Sequence, residues 1–590
     1  MNQRIEEKLK QIEDTDYFEY IFEAGSMFQE VIHLSEEYKE PKVKKMAETE
    51  IKLLNINVYT PMIYTNYISR FDKRIIEQCS VSQEEILYFE GRLKESLNIF
   101  LKCRYADFLY EYGQGICSIN KYQIGTYLVS FMLKTARLHF NHENPINCLE
   151  DSARAVFVSL QLKNKVMIDE CNNFLFELLL NFEGSNLRWV LELAEIFHNI
   201  LLSPLKSSLD NDKRQLVLEK LEQARSYYWE NKEHHLHRSV CGELIEWAKV
   251  NKMNEKITMK YIKEIGASYE EEAEHQQGRE EKSEIVKASF LEKALQHYMN
   301  YGISEKFDPL KIQIKASYEN AVSQGEFKLM SSSVKISQEE IDREIQPYLN
   351  VPLDEALLHF AREISFIPNV SQIEENTKKQ MKESFSLRNF FGGSVVSDGK
   401  KIFQTVDDQD TFKINFNQYY MMAMEIIANV IMVPLFERLV DKGLSATHII
   451  NLLKFWGYID EQSGVFIKIG IEKFFERDYI SSMHILVPQL EALVRNFFGS
   501  IGYATTVIKK GTVQQEQTFN EFLERKDIKE SMPKEVHKYL VMLMVEQTGC
   551  NFRNKIAHGL IHPAECNKTN NMLILHFYLL MTNFKLEVDA

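Results

Sequence analysis

The chain has 590 residues, of which 45% are apolar and 12% aromatic, and this composition excludes a disordered protein. Its formal net charge of −15 excludes a general nucleic-acid coat, because phosphate binding relies on a basic surface. The acidic excess lies before residue 481, whereas the last 110 residues carry 12 Lys or Arg against 11 Asp or Glu. We therefore expect the acidic N-terminal part to suit a protein partner better than RNA.

The cysteines and the first residues indicate the cellular setting. The eight cysteines form no Cys-x-x-Cys pair, which argues against a zinc ribbon or a redox dithiol. Residues 1–10 are charged and not typical of a signal peptide. The strongest candidate for a membrane span, residues 421–436, is shorter than the roughly 20 apolar residues that span a bilayer, so we expect a buried core helix there. These features predict a cytoplasmic protein with reduced thiols and no membrane association.

The N-terminal half has the periodicity of helices. In residues 1–140 apolar side chains recur at spacings of three and four, as at Ile21, Ala24, Phe28 and Val31. Residues 145–330 continue as helical hairpins without a strict 34-residue period, which predicts an irregular, solenoid-like α-helical region. Residues 340–415 form a predicted connecting region, and residues 416–590 a predicted C-terminal helical domain.

The connecting region contains the one predicted β-hairpin. An Asp398-Gly399 turn joins two β-prone runs, which predicts a hairpin near residues 394–405. Helical patterns resume after it, at residues 417–442, 446–456, 466–475, 479–501, 519–525, 534–547 and 571–584. The predicted fold class is therefore mainly α.

Two motifs with the appearance of ligand sites carry little weight. The glycines at 393 and 399 are one residue too far apart for a phosphate loop, and Lys401 stands where the Mg²⁺-binding Ser or Thr belongs. His234, His235 and His237 have no Cys or carboxylate at ligand spacing, so we interpret them as a polar helix end. No metal and no cofactor is expected.

The most informative segment is Asn-Phe-Arg-Asn-Lys-Ile-Ala-His-Gly at residues 551–559. The guanidinium of Arg553 is suited to hold a phosphate, and the imidazole of His558 to move protons near neutral pH. On a helix Asn554 and His558 share a face, so Asn554 is expected to orient the imidazole or the phosphate. An isolated Arg-x-x-x-x-His is common by chance, whereas the longer string is more specific.

The string Arg553-Asn554-x-x-Ala557-His558-Gly559 resembles the signature of the HEPN superfamily, whose members are small helical domains and often metal-independent ribonucleases. Residues 475–495 also resemble the helix that precedes this signature, in the branch that contains the endoplasmic reticulum membrane-associated RNA degradation protein. The resemblance covers residues 416–590 well and the N-terminal half hardly at all. It implies a HEPN-type helical bundle that forms a homodimer with two signature segments facing each other.

The resemblance also implies roles for individual residues. Arg553, Asn554 and His558 would be catalytic, and Glu491 and Arg495 would support them, although the two also fit a simple ion pair on one helix. The lysines Lys509 and Lys510, in a predicted loop, and Lys555 are candidate RNA contacts. The implied activity is cleavage by the RNA's own 2′-hydroxyl, which leaves 2′,3′-cyclic phosphate ends.

The sequence leaves three functions open. In the first, the C-terminal domain is the implied endoribonuclease, in RNA degradation, toxin action or antiviral defence. In the second, it is a non-catalytic nucleotide-binding, RNA-binding or dimerisation module. In the third reading the chain is a solenoid adaptor with a structural C-terminal bundle. In each case the acidic N-terminal helices are expected to bind a protein.

Overall fold

The structure, a computed structural model, describes residues 2–55, 81–275, 283–327, 336–383, 393–397, 399–510 and 512–585. The chain divides into two compact units, Met1–Ile314 and Lys315–Ala590. Each unit has its own apolar core.

The first unit is a succession of α-helices in which neighbours along the chain pack against each other. The described helices are α1 (Gln3–Glu13), α2 (Phe22–Glu37), α3 (Pro41–Leu54), α4 (Gln83–Glu95), α5 (Ile99–Tyr112), α6 (Lys121–Asn141), α7 (Pro145–Gln161), α8 (Lys165–Asn181), α9 (Trp189–Leu202), α10 (Asn211–Glu230), α11 (His234–Val250), α12 (Glu255–His275), α13 (Glu284–Asn300) and α14 (Phe307–Ser323), the last of which runs into the second unit.

A recurrent turn explains why this unit is solenoid-like without a strict sequence period. One residue in the left-handed conformation reverses the chain after α2, α6, α7, α10 and α11, and these residues are Lys39, Glu143, Lys163, Lys232 and Lys252. Because the turn geometry recurs while the helices between turns vary in length, the hairpins stack but the sequence spacing drifts. The predicted solenoid-like, mainly α fold is confirmed.

The second unit is also helical. Its helices are α15 (Gln338–Leu349), α16 (Leu353–Arg362), α17 (Val370–Glu383), α18 (Asp408–Ile427), α19 (Val433–Asp441), α20 (Ala446–Trp456), α21 (Glu461–Phe475), α22 (Tyr479–Ser500), α23 (Phe519–Glu524), α24 (Lys526–Glu530), α25 (Lys534–Met544), α26 (Phe552–Ala557) and α27 (Lys568–Met581). From Asn571 to Met581 every residue of α27 is buried, so this helix is central. The Tyr578 hydroxyl of α27 donates to the Leu486 carbonyl of α22 at 2.7 Å.

Two antiparallel hairpins complete the described part of this unit. Strands β1 (Ser394–Ser397) and β2 (Lys400–Gln404) pair with Gly399 at a positive φ of 69°, which confirms the predicted hairpin. Strands β3 (Thr506–Lys510) and β4 (Val513–Glu516) form a second hairpin. The prediction of a loop at Lys509 and Lys510 is therefore wrong, because their backbone belongs to β3.

The helix that contains the candidate membrane-spanning stretch is longer than predicted and partly exposed. The helical run Asp408–Asp441 joins α18 and α19 through a π-helical turn at Ala428–Met432. Among the described residues it is the one helix with the length and apolar composition to cross a membrane, and 33% of its most apolar window is buried. The core helix expected at residues 421–436 is buried on one face only, because Met422 and Ile426 are exposed whereas Met424, Met432 and Leu435 lie in the core.

Candidate functional site

A constrained turn presents the segment at residues 551–559. After α25 the chain folds back so that the Cys550 amide donates to the Met542 carbonyl at 2.9 Å. A Cβ at Gly549 would lie 2.6 Å from that same carbonyl oxygen, so only glycine fits. Asn551 then takes a left-handed conformation, with φ 54°, directly before α26. Asn tolerates this region better than most residues. The buried Phe552 anchors the short helix in the core.

The other end of α26 places His558 at the surface. The helix ends at Ala557, and Gly559 takes a positive φ of 66°. The Gly559 amide donates to the Ile556 carbonyl and the Leu560 amide to the Lys555 carbonyl, which is a Schellman motif. His558 occupies the cap position within this motif and is exposed. No hydrogen bond joins its imidazole to any residue in the described ranges, so the ring is accessible.

The guanidinium of Arg553 is held from two sides. Its Nε donates to Glu491 Oε2 of α22 at 2.7 Å, and its Nη1 donates to Asn554 Oδ1 at 3.0 Å. Asn554 Nδ2 in turn donates to Asn551 Oδ1 at 2.8 Å. The side chain of Asn554 therefore orients Arg553, and within the described ranges no hydrogen bond joins it to the imidazole of His558. The expected role of Asn554 in holding the imidazole or the phosphate stays a prediction.

Glu491 connects this network to the core. Its Oε1 accepts two hydrogen bonds from Arg495, from Nε at 3.1 Å and Nη2 at 2.9 Å, while Oε2 accepts from Arg553. Arg495 Nη2 also donates to the Gln517 carbonyl at 2.7 Å. The guanidinium of Arg495 lies over the rings of Phe519 and Phe522, each 5.4 Å from the ring centroid.

The charges of this cluster nearly balance. Two guanidinium groups share one carboxylate, so Arg553, Glu491 and Arg495 together carry a net charge of +1. Glu516 pairs with Arg495 at 3.6 Å and makes the set of four neutral, but its side chain is mostly exposed. Arg553 keeps 28% of its side chain exposed, against 10% for Arg495. Arg553 is therefore the guanidinium from which an external phosphate can accept hydrogen bonds.

Of the three candidate RNA-contacting lysines, the structure describes the side chain of Lys555. Lys555 forms an ion pair with Glu565, so its charge is neutralised within the chain. The side chains of Lys509 and Lys510 lie outside what the structure describes. The RNA-contacting role of Lys555 thus loses support.

Two buried groups of the second unit are unsuited to chemistry at neutral pH. Burial raises the pKa of the Cys550 thiol to about 12, so this cysteine stays protonated and is a poor nucleophile. Burial lowers the pKa of His576 in α27 to about 3. His576 is completely buried and neutral at pH 7. In this part of the unit the exposed His558 is the better proton carrier.

Sequence reasoning missed three members of this site. Asn551, the Gln517 carbonyl and Glu565 each fix a charged or polar side chain of the segment. Asn551 had a partial signal, since Asn is among the residues that tolerate the left-handed conformation. The other two depend on tertiary contacts that no local pattern indicates.

No family model matches the chain, and no curated protein sequence is significantly similar to it. Among solved structures it is similar to a circular tandem repeat protein with novel repeat topology and enhanced subunit contact surfaces. The identity is 10% and the TM-score 0.26, with 82% of this chain and 98% of that chain covered. So weak a likeness leaves the function to the chain's own residues.

Proposed function

We propose that the second unit is a metal-independent endoribonuclease of the HEPN type, with Arg553 and His558 as its catalytic residues. The observation that carries the proposal is the pairing of a positioned guanidinium with an accessible imidazole at the two ends of one short helix. Arg553 is fixed by Glu491 and Asn554, and His558 is exposed within a defined helix cap.

The reaction follows from the chemistry of these two groups. His558 takes the proton of a ribose 2′-hydroxyl, the 2′-oxygen bonds to the adjacent phosphorus, and the bond from phosphorus to the 5′-oxygen breaks. The leaving oxygen takes a proton from His558 of a second copy or from water. Arg553 stabilises the charge that grows on the phosphoryl oxygens. The products are a 2′,3′-cyclic phosphate and a 5′-hydroxyl.

The supporting network favours catalysis because it is organised before substrate arrives. Glu491 and Asn554 hold two of the three guanidinium nitrogens of Arg553, so the remaining Nη2 is the one presented to a phosphate. Donors that are already oriented need no reorganisation during the reaction, which is the main source of electrostatic rate enhancement. We extend the proposal to a homodimer through this unit, with the acidic first unit as a protein-binding region.

The ion pair between Arg553 and Glu491 also fits a non-catalytic module. In that alternative Arg553 stabilises the fold or binds a nucleotide, and His558 is dispensable. The two functions differ in what the loss of His558 does, because the exposed imidazole forms no hydrogen bond or ion pair with the described residues and its removal should leave the fold intact.

The test is RNA cleavage by the full chain, with transfer RNA and total RNA, both with excess EDTA and without chelator. Three proteins are compared: wild type, His558→Ala, and a His359→Ala control, which removes another exposed histidine of the same unit. We expect equal cleavage with and without EDTA by wild type and the control, and a loss of at least about 100-fold for His558→Ala. Retained cleavage in His558→Ala refutes the catalytic assignment. Nucleotide or RNA binding without cleavage by any of the three favours the non-catalytic module.

A further inference from the structure

Three side chains with metal-binding atoms converge in the first unit. They are His237 and Cys241 of α11 and Glu264 of α12. His237 and Cys241 are completely buried, and Glu264 keeps 24% of its side chain exposed. This cluster belongs to neither the proposed ribonuclease site nor its supporting network.

The fold supplies the ligands that the sequence appeared to lack. His237 and Cys241 are four residues apart and so share one face of α11. The helix α12 packs against that face and brings Glu264 to it. The neighbouring His235 is exposed to solvent, as expected for a polar helix end. His237 differs from it, because it is buried beside the ligand atoms of Cys241 and Glu264.

The hydrogen bonding of His237 leaves one ring nitrogen available. Its Nδ1 lies 3.0 Å from the backbone carbonyl of Arg225. A carbonyl only accepts, so Nδ1 carries the proton and the lone pair of Nε2 accepts from the Cys241 thiol, a proton that a bound metal ion would replace. Histidines that bind metals usually have their second nitrogen held in this way. Nε2 faces Cys241 and Glu264.

The distances among the three atoms match a zinc coordination sphere. His237 Nε2 lies 3.4 Å from Cys241 Sγ and 3.8 Å from Glu264 Oε2, and Sγ lies 3.9 Å from the same Oε2. In a tetrahedral site with zinc bonds of roughly 2.0–2.3 Å, the ligand atoms lie about 3.3–3.8 Å from one another. The three distances here are close to that range.

We propose that His237, Cys241 and Glu264 bind one Zn²⁺ ion, with a water molecule as the fourth ligand. A thiolate, an imidazole and a carboxylate are the ligand types that zinc prefers among the common divalent ions. The thiolate and the carboxylate together neutralise the ion. Arg225 Nη1 donates to the same oxygen, Glu264 Oε2, at 2.7 Å and so orients the carboxylate, as neighbouring hydrogen bonds usually do for ligating carboxylates.

The experiment measures zinc in the full-length protein after dialysis against a zinc-buffered solution, by mass spectrometry of the metal. We expect one zinc ion per chain in wild type. For His237→Ala and Cys241→Ser we expect the affinity to fall at least about 100-fold, because even loss of a residue outside the ligand sphere costs up to that factor. Cys171→Ser is the matched control, since Cys171 is an equally buried free thiol of the same unit.

A second measurement does not depend on the variants folding. Wild type loaded with Co²⁺ is expected to show the thiolate-to-cobalt charge-transfer band in the near ultraviolet, which zinc then abolishes. The Cys171→Ser control is expected to keep the band. The proposal is overturned if wild type binds no zinc and shows no such band, or if a folded Cys241→Ser binds zinc as wild type does. Neither outcome bears on the ribonuclease site, which lies in the other unit.

Discussion

Replacing Glu491 by Gln tests whether one carboxylate organises both arginines of the candidate site. Glu491 accepts three hydrogen bonds from Arg495 and Arg553. The substitution keeps the shape but leaves Arg495, with 10% of its side chain exposed, without its closest countercharge. Breaking a buried ion pair costs about 3–5 kcal/mol, and a neutral hydrogen bond to the Gln oxygen restores about 1 kcal/mol. We therefore expect the free energy of unfolding to fall by about 2–4 kcal/mol.

The assay is urea unfolding of the full chain, followed by RNA cleavage under conditions in which the variant is folded. With Arg553 released from its anchor, we expect kcat/KM to fall about 10- to 100-fold, because a small misplacement of a catalytic group has an effect of this size. Glu516→Gln is the control. Its carboxylate is mostly exposed and 3.6 Å from Arg495, so its loss should change stability by less than about 0.5 kcal/mol. Equal unfolding of the Glu491 and Glu516 variants would refute the reasoning.

Two further changes probe the surroundings of the site. Gly549→Ala places a Cβ 2.6 Å from the Met542 carbonyl oxygen, so we expect the free energy of unfolding in urea to fall by about 1–3 kcal/mol. The control is Gly499→Ala, whose Cβ would lie 3.7 Å from the Thr505 side chain and should be tolerated. The buried His576 should make the stability of this unit depend on pH. Burial lowers its pKa to about 3, against about 6.5 in an unfolded chain. As the pH falls, the unfolded state therefore binds the proton first, which favours unfolding. Its contribution to stability is complete above pH 6.5 and decreases by about 2 kcal/mol between pH 7 and pH 5. His576→Leu should make the stability of this unit less dependent on pH over that range, and an unchanged dependence contradicts the assignment.

Sequence patterns predicted the hairpins and helix ends that neighbouring residues determine by themselves. The hairpin of β1 and β2 was predicted because an Asp-Gly turn separates two β-prone runs. The hairpin of β3 and β4 was missed because every residue of β4 is exposed, so no alternation of apolar and polar residues marks it. The end of α26 near Gly559 was predictable in the same way, from a glycine that accepts a positive φ.

The contacts of the candidate sites depend on helix packing and were beyond local patterns. Arg553 and Glu491 are 62 positions apart, and only the family resemblance pointed to their proximity. His237 and Glu264 meet because α11 and α12 pack together, which a sequence spacing of 27 residues does not indicate. The histidine run was therefore interpreted as a helix end although its third member lies beside a thiol and a carboxylate.

The exposed helix cap at His558 has a consequence for how the proposed enzyme would use its two catalytic groups. The guanidinium of Arg553 is tied to another helix, whereas the imidazole of His558 forms no bond to the described residues and exchanges rotamers on the picosecond to nanosecond scale. The arginine thus sets where the phosphate rests, and the ring is ordered only when RNA or a second chain covers the cap. Fixing such a side chain costs roughly 1 kcal/mol. Isolated chains would therefore be slow enzymes, and assembly over this end of the helix would accelerate them without any change in fold.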